Sequence, residues 1–252
     1  MIRLFALCAY ALFLGVFTYF IGFVTGIGVP KAIDDGVATS APLAVAIDVG
    51  LVVFFGAVHS TMARAPFKRA WTRLIPPAAE RSVYVLVASA QVALLCWLWR
   101  PLAGFELWRA AGAPALALRA GSLLGFALAL LSTFLLDHFE LFGLRQGLHA
   151  AGPAGLRTPW LYRWVRHPLY LGMLIGLWVT PTMTGGHLLL AAAMTAYVLV
   201  GVHHEERDLV RAFGDEYRRY QARVPRLVPL RLRARPLPAE SAPSPSGDAG
   251  SK

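Results

Sequence analysis

The feature that most limits what this chain can fold into is a succession of long apolar runs through its first four-fifths, at roughly 4–28, 43–62, 83–104, 115–140, 168–184 and 186–203. In hydrocarbon a backbone has no water to bond, so each run must satisfy its own N–H and C=O groups as a helix or join a closed barrel. Runs near 20 residues fit helices, with about 17 as the lower limit. The last two runs are marginal, and only Thr184-Gly185-Gly186 parts them. They read as a helical hairpin that either just crosses the bilayer or dips into it. The first run follows Arg3 as a signal peptide would. Its apolar stretch outlasts the 7–15 residues of a signal h-region, however, and no clean cleavage site follows, which reads as an anchor. Charged residues make up 15% of the chain, against about 25% in a soluble domain. The expected fold is all-α, a polytopic membrane helical bundle of five to six transmembrane helices ending in a cytoplasmic amphipathic helix. Three regions follow: helices over 1–140, a core over 141–235 that carries the motifs, and a Pro-, Ser-, Ala- and Gly-rich tail over 236–252 that reads as disordered.

The formal charge of +10 suggests nucleic acid until its distribution is read. With the N-terminus inside, the cytoplasmic stretches carry Arg3, five Lys or Arg in 64–81, four in 141–167 and ten in 204–252. Only Lys31, Arg100, Arg109 and Arg119 fall on the other side. That asymmetry is the positive-inside pattern, so the excess encodes topology and both termini are expected in the cytoplasm. Contact with anionic lipid is a second use of the same charge. No nucleic-acid partner is expected. Cys8 and Cys96 each lie inside an apolar run and form no metal-ligand or disulfide pattern.

Chemistry concentrates in two clusters at the ends of apolar runs, where ionisable groups are costly and therefore functional suspects. The first is Arg166-His167-Pro168-Leu169-Tyr170-Leu171-Gly172, and the second is His204-Glu205-Glu206-Arg207-Asp208. Proline disfavours helix before it and suits the first helical position, so a helix should begin at Pro168 with Arg166 and His167 at its mouth. A helix N-terminus attracts anions, and the Arg166 fork suits a carboxylate or phosphate. If 203–224 is one helix, Leu209, Val210, Phe213, Tyr217, Tyr220 and Val224 share a face. Glu206 falls in the middle of that apolar stripe and Glu205 near its edge. A carboxylate there needs a partner, so Glu206 is either salt-bridged to a nearby Arg or reserved for a cationic ligand. Trp160, Tyr162, Trp164, Tyr170, Phe213, Tyr217 and Tyr220 offer stacking and cation–π surfaces. Positive and negative groups facing each other suit a zwitterion. S-adenosyl-L-methionine has that character, though composition does not single it out.

Arg166, His167, Pro168, Tyr170 and Gly172, followed after a hairpin by Glu205, Glu206, Leu209, Phe213, Gly214, Tyr217 and Tyr220, resemble the membrane methyltransferases of the isoprenylcysteine carboxyl methyltransferase and phospholipid N-methyltransferase type. The following Arg223-Val224-Pro225-Arg226-Leu227-Val228-Pro229 fits as well. Upstream, Asp137-His138-Phe139-Glu140-Leu141-Phe142-Gly143-Leu144-Arg145-Gln146 and the tip Thr180-Pro181-Thr182-Met183-Thr184 are similar to the methanethiol S-methyltransferases of the nurim-like group, over residues 1–230. The resemblance implies a bacterial inner-membrane enzyme that moves a methyl group from S-adenosyl-L-methionine to methanethiol, giving dimethyl sulfide. It places Arg166, His167, Tyr170, Glu205, Glu206 and Tyr217 at the cofactor. No Gly-x-Gly-x-x-Gly follows a strand, so a soluble Rossmann methyltransferase does not arise.

An alkyl thiol is largely protonated at neutral pH, so the reaction needs a base or a lowered thiol pKa. His138, His167 and His204 are candidates by type, and Asp137 and Glu140 could orient or activate such a group. The catalytic set is therefore His138, Asp137, Glu140 and His204, with no choice among them. His59 and Asp48 within the second run, and His187 at the hairpin, read equally as buried or interfacial polar groups and stay outside a minimal site. Two other readings remain. Metal or haem chemistry could use Asp137, His138, Glu140, His203, His204, Glu205 and Glu206, and a haem-dependent isomerase is among the relatives of the nurim-like group. A non-enzymatic scaffold like nurim is the other, although a scaffold has no need of the Arg-His-Pro and Glu-Glu pairing.

Overall fold

The computed structural model describes residues 1–102, 104–136 and 158–229. Its helices are α1 (Ile2–Thr25), α2 (Ala41–Ala63), α3 (Ala65–Trp71), α4 (Glu80–Leu98), α5 (Gly112–Leu136), α6 (Pro168–Trp178), α7 (Gly185–Phe213) and α8 (Asp215–Arg223). Two short strands, β1 (Glu106–Arg109) and β2 (Thr182–Thr184), pair antiparallel. Among the described residues, five helices are long and apolar enough to cross a bilayer: α1, α2, α4, α5 and α7. The chain is thus a multi-pass membrane protein with a helical bundle and little sheet, as its apolar runs require.

Local chemistry sets the ends. Gly26 takes the left-handed conformation at φ 70° that closes α1, its N–H returning to the Gly22 carbonyl. Thr184 caps α7 by accepting the His187 N–H at 3.2 Å. Pro168 opens α6 with His167 as its N-cap, as expected from the sequence.

Two expectations need correction. Residues 203–224 do not form one amphipathic helix. Instead α7 runs unbroken for 29 residues to Phe213, so Glu205 and Glu206 lie on an extension of the last spanning helix. Gly214, at φ 56°, breaks the path before α8. The third run also ends early, at Leu98, because the chain turns into β1.

The bundle pairs α1 with α4, sets α2 against α4 and α7, and lays α6 between α5 and α7. The α5–α6 contact is the closest. A Cβ placed on Gly172 would lie 2.4 Å from the Ala129 nitrogen and 2.6 Å from the Gly125 carbonyl, and one on Gly125 would lie 2.5 Å from the Gly176 nitrogen. Gly125 and Ala129 on α5 face Gly172 and Gly176 on α6, the small-residue spacing that lets membrane helices touch backbone to backbone. Ser122 adds a hydroxyl bond to the Gly176 carbonyl at 2.7 Å. An aromatic core of Phe20, Phe23, Trp99 and Phe126 lies nearer the hairpin tip, with Phe20 edge-on to Phe126 at 6.1 Å.

Whether the hairpin traverses the bundle was open from sequence. β2 at its tip pairs with β1, which leads into the start of α5, while Tyr162 near its other end reaches the carbonyl of Ser132, close to the end of α5. The hairpin therefore runs nearly the length of α5, although α6 itself is only 11 residues long. The extended residues after Trp178 make up the remainder.

Candidate functional site

At the N-terminal mouth of α6, three charged or titratable side chains converge on one carboxylate. Glu206 points inward from α7 with its side chain 5% exposed, and Arg166, 9% exposed, meets it. The Arg166 Nε and Nη2 each lie 2.7 Å from Glu206 Oε1. Arg226 supplies a second fork, donating Nε and Nη2 to Glu206 Oε2 at 3.1 and 2.7 Å. His167 Nε2 lies 3.2 Å from Oε1. Periodicity put Glu206 on a packing face, and the buried, multiply paired carboxylate is the physical result.

Arg166 also ties the site together. Its Nη1 donates to the carbonyls of Gln221 and Val224 at 2.9 and 2.5 Å, at the end of α8 where the helix dipole is negative. The backbone repeats the link, with the Arg166 N–H on the Pro225 carbonyl at 2.9 Å and the His167 N–H on the Arg226 carbonyl at 3.2 Å. Through these bonds α6, α7 and α8 meet at a single knot.

Tyr217 is buried and packs 5.7 Å from Tyr220. Burial pushes the Tyr220 hydroxyl up to about 12, with Arg166 pulling the other way. Burial also raises Tyr217, reinforced by the Glu206 carboxylate. Both phenols thus stay protonated near neutral pH, and Tyr220 donates to the Tyr162 carbonyl at 2.5 Å. Tyr162 is buried, while Trp160 and Trp164 are exposed beside it.

Glu205 differs from its neighbour. Its side chain is 44% exposed, and it faces His167 Nδ1 at 3.8 Å and the Tyr170 hydroxyl. The Tyr170 ring sits 5.7 Å from that of His167. The Arg226 side chain is 46% exposed. Glu205 and Arg226 therefore present one negative and one positive group outward from a knot whose inner charges are already matched.

The structure thus brings Arg166, His167, Tyr170, Glu205, Glu206 and Tyr217 into one neighbourhood. His204 is exposed on α7 with its ring 5.6 Å from His203, and one residue of helix turns it about 100° from Glu205. Asp137, His138 and Glu140 lie outside the described residues. Among the described residues no three His, Cys, Asp or Glu side chains cluster as a metal site would. Asp48 and His59, both on α2, are at opposite ends of that helix: Asp48 accepts the Arg100 N–H at 2.9 Å, and His59 meets Tyr84. The residue of the knot that sequence reasoning missed is Arg226. It stood in the quoted motif, but nothing local signals that it folds back onto Glu206.

No solved structure matches the chain. Among curated proteins it is 48% identical over 235 residues to the methanethiol S-methyltransferase of a Pseudomonas species, covering 90% of each chain. It is 46% identical to that of Mycobacterium tuberculosis, covering 88% of this chain and 93% of that protein. Human nurim is 34% identical over 184 residues, 67% of this chain and 68% of nurim. The family described as NnrU protein matches residues 47–234, a stretch that holds every element of the knot, and the chain belongs to that family.

Proposed function

We propose that the chain is an integral-membrane methyltransferase that transfers a methyl group from S-adenosyl-L-methionine to methanethiol, releasing dimethyl sulfide. The observation that carries the reading is the match, along nearly the whole chain, to relatives named methanethiol S-methyltransferase. The geometry supports it. A zwitterionic donor with an added cation needs a guanidinium for its carboxylate and acidic or aromatic groups for its positive charges. Half-exposed Arg226, Glu205 and the Tyr170 face have those properties.

When bound, S-adenosyl-L-methionine supplies an electrophilic methyl group on a sulfonium. The residues of the chain hold and screen the site. Arg166, His167, Glu206 and Tyr217 form its buried floor, and Glu205, Tyr170 and Arg226 its contact surface. Asp137, His138, Glu140 and His204 are assigned to contacting or orienting the acceptor. Attack of a thiolate on a sulfonium neutralises charge, so a water-poor site at the end of an apolar bundle favours it. Alignment of the two sulfur centres supplies much of the remaining acceleration. In this reading residues 141–235 are the catalytic core, the membrane is the bacterial inner membrane, and both termini face the cytoplasm.

Headspace analysis of cells that express the chain and receive methanethiol tests the proposal. Dimethyl sulfide above the empty-vector control is the expected result. Its absence from a well-expressed sample overturns the methanethiol assignment.

A further inference from the structure

His59 of α2 has no part in the knot, yet its environment is unusual for a half-buried imidazole. The ring stacks on Phe55 at 5.0 Å and meets Tyr197 of α7 edge-on at 6.4 Å. Its Nε2 lies 2.6 Å from the hydroxyl of Tyr84 on α4. Its Nδ1 is enclosed by protein and has no hydrogen-bond partner. An enclosed polar atom without a partner costs about 1–3 kcal/mol, and one in a native fold calls for a reason.

The other described histidines are committed or remote. His167 faces Glu206 with Nε2 and Glu205 with Nδ1. His187 Nε2 is 2.7 Å from the Leu177 carbonyl near the hairpin tip. His203 and His204 are exposed. Among the described histidines, His59 alone has an enclosed ring nitrogen left open.

Its position connects it to the proposed cofactor site. His59 lies one turn before the end of α2, and Tyr84 lies one turn into α4, at the same end of the bundle as the mouth of α6. The Tyr170 hydroxyl at that mouth is bonded to Glu205. Tyr197, whose ring meets that of His59, lies on α7 about two turns before Glu205. A small thiol held among α2, α4 and α7 would find Nδ1 as an open proton acceptor.

We infer that His59 is the base that deprotonates the acceptor thiol, with Tyr84 as its positioning residue; the inference rests on the thiol methyltransferase reading. The S–H bond breaks, its proton passes to Nδ1, and the electron pair stays on sulfur. That sulfur then bonds the methyl carbon as the methyl–sulfonium bond breaks, its electron pair leaving on the departing thioether. The imidazolium keeps Nε2–H on the Tyr84 oxygen and later releases the added proton to water. The rings facing it are Phe55 from its own helix, Tyr84 from α4 and Tyr197 from α7.

The test compares two acceptors on the purified full-length chain. A selenol is far more acidic than a thiol and is ionised at neutral pH, so methaneselenol does not need the base. His59→Gln is expected to lower kcat with methanethiol by about 10²–10⁴-fold, while kcat with methaneselenol falls only a few-fold and the KM for S-adenosyl-L-methionine is unchanged. Tyr84→Phe preserves the ring shape should the His59 variant fail to fold, and it is expected to raise the selenol-to-thiol rate ratio in the same direction by about tenfold. Equal losses with both acceptors, or a methanethiol rate like the wild type, overturn the assignment. A wild-type chain inactive toward both acceptors overturns the methyltransferase reading itself, and this assignment with it.

Discussion

Glu206 and Glu205 are adjacent carboxylates with different physical fates, and that difference separates folding from binding. Glu206 is enclosed and held by Arg166, Arg226 and His167. Removing one partner of such a buried pair costs about 3–5 kcal/mol, because the remaining charge is left uncompensated. Arg166→Ala should therefore destabilise the protein by that amount, and it also leaves the Gln221 and Val224 carbonyls unbonded. A thermal-shift measurement in detergent checks this, and an unchanged melting temperature would remove Arg166 from the structural knot. Glu205→Gln, at a half-exposed site, should instead raise the KM for S-adenosyl-L-methionine while leaving the melting temperature within a degree or two. Kinetics and melting of the same sample test the pair of outcomes. Much of this was legible in advance. The 3.6-residue period put Glu206 on a packing face, and a buried carboxylate demands a cation. Arg226 was hidden because its role depends on α8 turning the chain back, and a turn of that kind leaves no mark on periodicity.

At the scale of elements, Gly172 changes meaning. In sequence it reads as one letter of a motif. In the fold it is where α6 and α5 touch, with no room for a methyl group between the backbones. Gly172→Ala and Gly125→Ala should each cost about 1–3 kcal/mol or more through overpacking against backbone that cannot yield. Gly50→Ala, where nothing lies within 4 Å of the added carbon, is the control and should be neutral or slightly stabilising. Folded yield and melting temperature distinguish these outcomes, and equal behaviour of the three variants would dissolve the seam. The existence and approximate ends of α1, α2 and α5 were readable from hydrophobic runs, since length and apolarity alone dictate them. The end of α7 was not. The apolar run stops at 203, but intrahelical bonding does not depend on the solvent outside, so the helix continues to Phe213. The β1–β2 pair was also out of reach, because it joins residues some 75 positions apart through a register that neither strand specifies alone.

For the whole molecule, the asymmetry of Lys and Arg gives an orientation that can be measured. Val37, exposed in the α1–α2 connection, and Arg69, exposed on α3, should lie on opposite sides of the membrane. In a background with Cys8 and Cys96 replaced, Val37→Cys should react with a membrane-impermeant maleimide in intact cells, and Arg69→Cys only after lysis. Labelling in the reverse order would invert the topology and put the Arg166 knot outside. Fold class and the neighbourhood of the site were both legible from sequence, because a bilayer admits few solutions and leaves its exceptions conspicuous. The identity of neighbouring helices was not, since apolar faces look alike until their small residues are matched in space. The shortness of α6 has a further consequence. Eleven residues reach roughly 16 Å, about half of the 30 Å hydrocarbon thickness, so this segment is a poor candidate for independent retention during biosynthesis. It must wait for α5 to offer its glycine groove and for α7 to be made behind it. The end of the protein that carries the Arg166–Glu206 knot is therefore assembled last, and a nascent chain released before Gly214 emerges would be inserted without it.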